Sequence, residues 1–593
     1  MTLEQVLPVW DNSHIFSSFQ DPKIESLFNE SEEVISKLEK ISKQVESSNT
    51  QNIKSALLLK SDFFPRFWDI YVYGVSATSV NRQHSEGLAL VNRCETTYFR
   101  FQTAFAAIDL YLKSCSEEEF NSIFTEELNH FIPSYKYKRE MNEFTLPTGV
   151  EETIIALSKE GHHSWNRLYS KLSGSLKFEI DGEKIPISLG AKVMANPDQS
   201  YREKVFRAIN KSWTEHEITF AEILNSINGW RIEEAKLRST KKDYHFLTDA
   251  SHRSKITRLT LETLMQTTFE RKGVAMKAMD LQKKSAGLSK RGPWDLMSLP
   301  CPFSSKAEYG FEDAKKIILE AFNSFRPEMA EFAQLMFDRN WIDVRPSENR
   351  SMGGYCTRFP SHREPRIFMT WAGTMKSVVT LAHEIGHAFH SWVLRAKPLE
   401  LTEYSMTLAE TASIFAETLV RENLLEKATS TEEKLAILWN DLDSASGFML
   451  NIPARYDFEY NLANGRKKKA FSADDFKQMT RDAWKKWYGD TLDEYDEMFW
   501  ASKLHFHMTG LSFYNYPYLF GYLFSLGIWQ MKNQENFYDK YTEILIDTGY
   551  MNANDIISKH LGMDIEKADF WNKSIDYVES KVNQFEKLYH SIA

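Results

Sequence analysis

His383, Glu384 and His387 stand in an H-E-x-x-H arrangement inside Leu381-Ala-His-Glu-Ile-Gly-His-Ala-Phe-His390. Residues four apart share one face of a helix, so both imidazoles can reach one metal ion while Glu384 points into the cleft beside it. Two imidazoles and a carboxylate suit Zn2+, and a catalytic zinc needs three protein ligands with a fourth position left open. A histidine six residues beyond His387 would complete the extended metzincin motif, but that position is Val393, and His390 stands where its glycine would be. The third ligand is therefore expected from a second helix. Pro398 ends the first helix and another begins near Ser405. In residues 405–417, Glu410 and Glu417 lie two turns apart on one face, with Leu408, Ala412, Phe415 and Leu419 opposite. Glu410 is the expected ligand, Glu417 a partner that orients a ligand histidine, and His390 stays outside the set.

The elements that must position these groups follow from the flanking pattern. Thr374 or Ser377 can cap the first helix. Leu381, Ile385, Phe389 and Trp392 form its apolar back, and Lys376, Thr380, His383, His387 and His390 its front. Upstream, Trp341–Val344 and Arg366–Trp371 read as two short strands separated by the glycine loop 345–355. They offer either an edge on which a peptide lies as an added strand or an ordinary hairpin. Arg345, Arg350, Arg358, Arg363 and Arg366 offer guanidinium groups for a substrate carboxylate, with solvated loop arginines as the plain alternative. A third cluster, His505-Phe-His507, Gly510 and Phe513-Tyr-Asn-Tyr-Pro-Tyr518, holds phenol and imidazole donors of the kind that stabilise an oxyanion. Aromatic core is its competing reading.

The rest of the chain bounds the setting. At 593 residues and 42% hydrophobic it can bury a large core, and a net charge of −10 argues against a nucleic-acid binder. No apolar run reaches the roughly 18 residues of a membrane span, and Met1–Pro8 lacks the basic and apolar regions of a signal peptide. Cys94, Cys115, Cys301 and Cys356 lack CxxC spacing. A cytoplasmic chain without disulfides is expected. Residues 21–152 read as long amphipathic helices, with the aromatic stretches 63–73 and 98–112 assigned to core. His162-His163 reads as solvent-exposed, Asp181-Gly182 as a hairpin turn, and residues 201–237 as helix. The division expected is 1–195, helical and ending in the hairpin, and 196–593, catalytic.

Taken together these residues resemble the oligoendopeptidase F branch of the thimet oligopeptidase and oligoendopeptidase F family of zinc metallopeptidases. The strongest elements are Thr380-Leu-Ala-His-Glu-Ile-Gly-His387 and Ala409-Glu-Thr-Ala-Ser-Ile-Phe415, supported by Trp165–Tyr169, Leu224–Asn228, Trp294–Leu296 and Leu561–Asp564 before Phe570-Trp571. The resemblance implies a mainly α, zincin-like fold of two lobes around a deep central channel, with a small β-sheet beside the active-site helix. It implies one Zn2+ held by His383, His387 and Glu410, with Glu384 as general base. Its oxyanion-assisting residues fall on His507, Tyr514 and Tyr516; His505 competes with His507, and Tyr518 is a further contributor. The activity implied is endopeptidase cleavage of short peptides by a metal-activated water. A zinc carboxypeptidase or dipeptidyl carboxypeptidase, and a peptide-binding protein without turnover, are the alternatives.

Overall fold

The computed structural model describes residues 7–45, 50–240, 242–296, 299–303 and 308–592. Residues 1–6, most of the stretch read as lacking a signal peptide, lie outside them. The chain divides into two compact units, each drawn from three segments: Met1–Asn142, Ala307–Leu424 and Lys532–His560 form unit 1, and Glu143–Lys306, Leu425–Met531 and Leu561–Ala593 form unit 2. The division expected near residue 195 falls inside unit 2. Both units are mainly helical. No described helix is long and apolar enough to cross a membrane, and the four cysteines are unpaired.

Unit 1 opens with α1 (Pro22–Ser42), α2 (Thr50–Val80) and α3 (Ser85–Ser114). Asp21 caps α1 by accepting from the Lys23 amide, and Pro22 occupies the first turn, where a missing N–H costs nothing. Leu38, Leu57, Phe63, Ile70, Ile108 and Leu112 interdigitate as the core of this bundle. The aromatic stretches expected to be wholly core divide between two faces. Phe63 and Phe67 are buried in the bundle, Phe64, Trp68 and Tyr98 are partly buried and line a cavity, and Phe101 and Phe105 belong to the buried core and also border that cavity. Both faces of these helices carry large apolar side chains, so periodicity could not separate them.

A three-stranded sheet sits beside the central helix of unit 1. Its order is β3 (Ile342–Asp343), β5 (Glu364–Phe368), β4 (Tyr355–Phe359); β3 pairs parallel with β5, and β4 pairs antiparallel from Tyr355↔Phe368 to Phe359↔Glu364. Two strands were expected, and the third, β4, forms the edge. Four of its five residues are half-buried, so it lacks the alternation that marks a strand in sequence. After β5, Gly373 turns the chain with a positive φ of 68° and Thr374 Oγ1 accepts from the Ser377 amide, starting α4 (Met375–Val393). Pro398 ends that region and α5 (Met406–Lys427) returns.

In unit 2, β1 (Lys177–Ile180) and β2 (Glu183–Pro186) form the expected hairpin, with Asp181 and Gly182 both at positive φ as a type I′ turn requires. His162 is buried rather than exposed: it stacks on Trp230 and bonds the Thr509 carbonyl through Nε2 at 3.1 Å. Only His163 is exposed.

Candidate metal centre

The back of α4 packs as its sequence period demands, with Leu381, Ile385 and Phe389 buried. Gly386 faces α5 at a distance no other residue tolerates. A Cβ there would stand 2.6 Å from the Ala412 carbonyl oxygen and 2.6 Å from Ser413 Cα. That close approach brings Glu410 over the two histidines. His383 Nε2 and His387 Nε2 are 3.1 Å apart, and Glu410 Oε2 lies 3.4 Å from the first and 3.6 Å from the second. Ligand atoms about 2.0–2.1 Å from a tetrahedral ion stand about 3.3–3.4 Å from one another. The three donors therefore already have the spacing of one face of such a tetrahedron, and they form the one group of this kind among the described residues.

Hydrogen bonds aim both rings at that point. His383 Nδ1 pairs with Glu417 Oε1 at 2.6 Å, which leaves Nε2 as the lone-pair nitrogen. Arg421 in turn donates to Glu417 Oε2 at 2.6 Å. His387 is held by the backbone carbonyl of Ala409, and Glu410 Oε2 accepts from Ser413 Oγ at 2.7 Å. The charges divide accordingly. Burial alone would depress His383, but Glu417, Glu410 and Glu384 raise it, whereas burial and the neighbouring His383 depress His387. Burial would raise Glu417, yet His383 and Arg421 hold its carboxyl below the usual range.

Glu384 is 5% exposed, and its Oε2 is buried without a hydrogen-bond partner. A buried carboxylate oxygen left bare beside three converging donors is the signature of a site built for a reacting group. Burial, reinforced by Glu410 and Glu417 and opposed by His383, raises Glu384 to about 7. Its Oε1 lies against Gly354, where a Cβ would be 3.2 Å away, so the glycine brings the start of β4 onto the carboxyl. The donor set and the bare oxygen fit a divalent cation with an adjacent proton acceptor. All four groups open into a unit 1 cavity of roughly 1260 Å³ that Tyr355, Cys356, Thr357 and Arg358 of β4 also line.

The downstream cluster sorts itself within unit 2. α6 (Leu504–His507) is a single turn that points its two histidines differently. His507 is 0% exposed, stacks on Tyr169 with ring centroids 3.9 Å apart and bonds the Lys503 carbonyl through Nδ1. Tyr516, at the start of α7 (Tyr516–Trp529), is buried with its hydroxyl donating to the Ala250 carbonyl and bonded to Ser254 Oγ. Both are packed inside unit 2. His505, Tyr514 and Tyr518 are half-buried and group together, with ring centroids 5.5–6.1 Å apart. Asn515 donates through Nδ2 to Glu459, so its Oδ1 faces His505 and the proton of that ring sits on Nδ1.

Other expectations resolve as plain structure. His390, placed on the open front of α4, is buried, stacked on Tyr404 and bonded to the Leu545 carbonyl and Thr548. Arg350 pairs with Asp343, Arg366 with Glu364, and Arg345 and Arg363 donate to backbone carbonyls. Of the five arginines only Arg358 lines the cavity, and it is bonded to Thr402 and Glu403. Arg421 was missed, although its position four residues after Glu417 on one helix was the signal.

The chain is similar to known proteins. The model of Peptidase family M3 matches residues 192–577. Oligopeptidase PepF of Bacillus subtilis is 22% identical over 595 residues, covering 98% of this chain and 87% of that protein. An oligoendopeptidase F homolog of Lactococcus lactis is 21% identical over 539 residues, covering 88% and 87%. In fold, the crystal structure of oligoendopeptidase-F from Enterococcus faecium superimposes with a TM-score of 0.71 at 17% identity, covering 96% of this chain and 100% of that one.

Proposed function

Because the chain belongs to peptidase family M3, we propose that it is a zinc-dependent endopeptidase that hydrolyses internal bonds of short peptides at the α4–α5 centre. The observation that carries this reading is the bare Glu384 Oε2 beside three donors spaced 3.1–3.6 Å apart. His383, His387 and Glu410 would hold the ion. A bound Zn2+ would supply Lewis acidity to the attacking water and the scissile carbonyl. Glu384 accepts the proton of the attacking water and delivers it to the leaving amine, and the environment that raises its pKa suits a group that must do both. Glu417 and Arg421 keep the His383 ring in the ligating tautomer. The unpaired edge of β4 takes the peptide as an added strand, so main-chain hydrogen bonds bind substrates of varied sequence.

The test is mass spectrometry of products from a mixed peptide library, with and without chelator, alongside metal analysis of the purified protein. Internal cleavage that chelation abolishes and Zn2+ restores, and that is lost in a Glu384→Gln protein still holding its metal, is the expected result. Wild-type turnover by that variant, or removal of C-terminal dipeptides alone, overturns the reading.

A further inference from the structure

The unit 1 cavity runs on from the metal centre to a place where charge is out of balance. Lys60, on α2, lines it, and no hydrogen bond or ion pair reaches Lys60 Nζ among the described residues; its one close partner is the face of Phe105, 4.7 Å from the ring centroid. The two carboxylates nearby are already taken. Asp109 is held by Lys113 at 2.5 Å, by Lys138 at 2.9 Å and by the Tyr135 hydroxyl at 3.2 Å. Glu400 accepts from Ser61 Oγ at 2.6 Å and faces His130 at 3.4 Å. Lys113 and Lys138 both pair with Asp109 and Glu400 is met by Ser61 and His130, so Lys60 projects into the cavity with no ion pair among the described residues. Burial, and then the nearby Lys138, depress the Lys60 ammonium, opposed by Asp109 and Glu400.

Contacts along α2 order Lys60 relative to the start of β4. Gly354 lies on Glu384, and the next residue, Tyr355, bonds Ser79 near the C-terminal end of α2. The β4–β5 turn reaches Asp69 through Ser361, and Ser61 bonds Glu400. From Ser79 back to Lys60 the helix descends about 28 Å at about 1.5 Å per residue. An extended peptide covers that in about eight residues at about 3.4 Å each. β4 runs from the Glu384 end toward the Lys60 end, so a peptide paired antiparallel to it, the more stable pairing, places residues upstream of its scissile bond toward Lys60.

We propose that Lys60 is a specificity-determining residue that binds a substrate carboxylate, that of an Asp or Glu side chain about six to eight residues upstream of the cleaved bond. This rests on the reading of the α4–α5 centre as a peptidase site. The aromatic wall of Phe64, Trp68 and Tyr98 between the two places gives an apolar surface to the intervening residues, so the charge at the far end selects the peptide and its register.

The experiment uses internally quenched peptides that differ only by Glu or Gln at this upstream position, each with a free or an amidated C-terminus. They are assayed for kcat/KM with the wild type and with Lys60→Met, Lys60→Glu and Lys60→Arg, and thermal melts verify folding. The wild type is expected to prefer Glu over Gln by at least about tenfold. That ratio should approach one in Lys60→Met, invert in Lys60→Glu and survive in Lys60→Arg. A preference that follows the free C-terminus instead, and is lost in Lys60→Met, overturns the proposal, because the carboxylate bound is then the terminal one and lies downstream of the cleaved bond. A ratio near one in the wild type for both comparisons, or a ratio unchanged in Lys60→Met, overturns the proposal. Fluorescence anisotropy of the same peptides on Glu384→Gln and Glu384→Gln/Lys60→Met reads the contact without turnover, so failure of the peptidase reading and failure of the Lys60 contact are told apart.

Discussion

His383 Nδ1 and Glu417 Oε1 lie 2.6 Å apart across the α4–α5 packing, and this contact decides which nitrogen of His383 faces the metal position. The carboxylate fixes the proton on Nδ1, and Arg421, on its other oxygen, keeps that carboxylate ionised. Glu417→Gln removes the charge that both partners face. Zn2+ affinity should fall about 10- to 100-fold while the far-UV circular dichroism stays that of the wild type. Competition with a chromophoric chelator measures it, and an unaltered affinity would mean that the ring is oriented by packing alone.

Gly386→Ala attacks the same geometry through the backbone. The new methyl meets the Ala412 carbonyl and Ser413 Cα, neither of which can rotate away, so α4 and α5 must separate locally. Overpacking of this kind costs about 1–3 kcal/mol. A shift of a few tenths of an ångström also spreads donors whose spacing matters to the ion. The expected outcome is a lower thermal midpoint together with weaker Zn2+ binding. Full metal affinity in a destabilised protein would separate helix packing from ligand placement.

How much of this was readable beforehand depended on whether a local period carried the information. His383, His387, Glu410 and Glu417 each follow from helical spacing on two ordinary amphipathic helices, and they converge as that spacing implies. β4 was hidden because an edge strand half-buried on both faces does not alternate. The cavity face of α2 and α3 was hidden for the converse reason, since Phe64 and Trp68 are as apolar as the core residues Phe63 and Phe67. His505 and His507 could not be ranked because α6 is one turn long. Their orientations come from Asn515 and Tyr169, one ten residues away and the other more than three hundred.

His505 and His507 should therefore separate in experiment. His507→Asn keeps a donor for the Lys503 carbonyl, so it removes the ring's titration with little loss of hydrogen bonding. Acid stability should report the difference. Burial holds His507 neutral, pushing it down to about 3, and burial followed by Arg231 lowers His162 to about 4. The unfolded chain, with histidines near 6.5, binds more protons between pH 6.5 and those values, so stability is complete above pH 6.5 and declines as pH falls. His507 alone costs up to about 1.4 kcal/mol per pH unit in that window. Acid-unfolding midpoints measured in chelator should move to lower pH in His507→Asn and by less in His505→Ala, because the half-buried His505 ring is also lowered by burial but keeps a bond to Asn515 that opposes it.

Removing the metal should loosen one region rather than the whole chain. The ion ties α4 to α5 through His383, His387 and Glu410, and every one of those side chains lies in unit 1. Saturation at a thousandfold excess over Kd adds about 4 kcal/mol to any opening that breaks the site. Openings that leave the site intact gain nothing, because ligand binding stabilises only the states it distinguishes. Amide hydrogen exchange with and without Zn2+ should thus show slowing concentrated in residues 375–393 and 406–424 and in β4, which Gly354 ties to Glu384. The hairpin core of unit 2 around Phe178, Ile180 and Val205 should exchange alike in both samples. Slowing spread evenly over both units would show instead that the site opens only when the whole chain unfolds, and the α4–α5 pair would then have no local opening of its own for the ion to suppress.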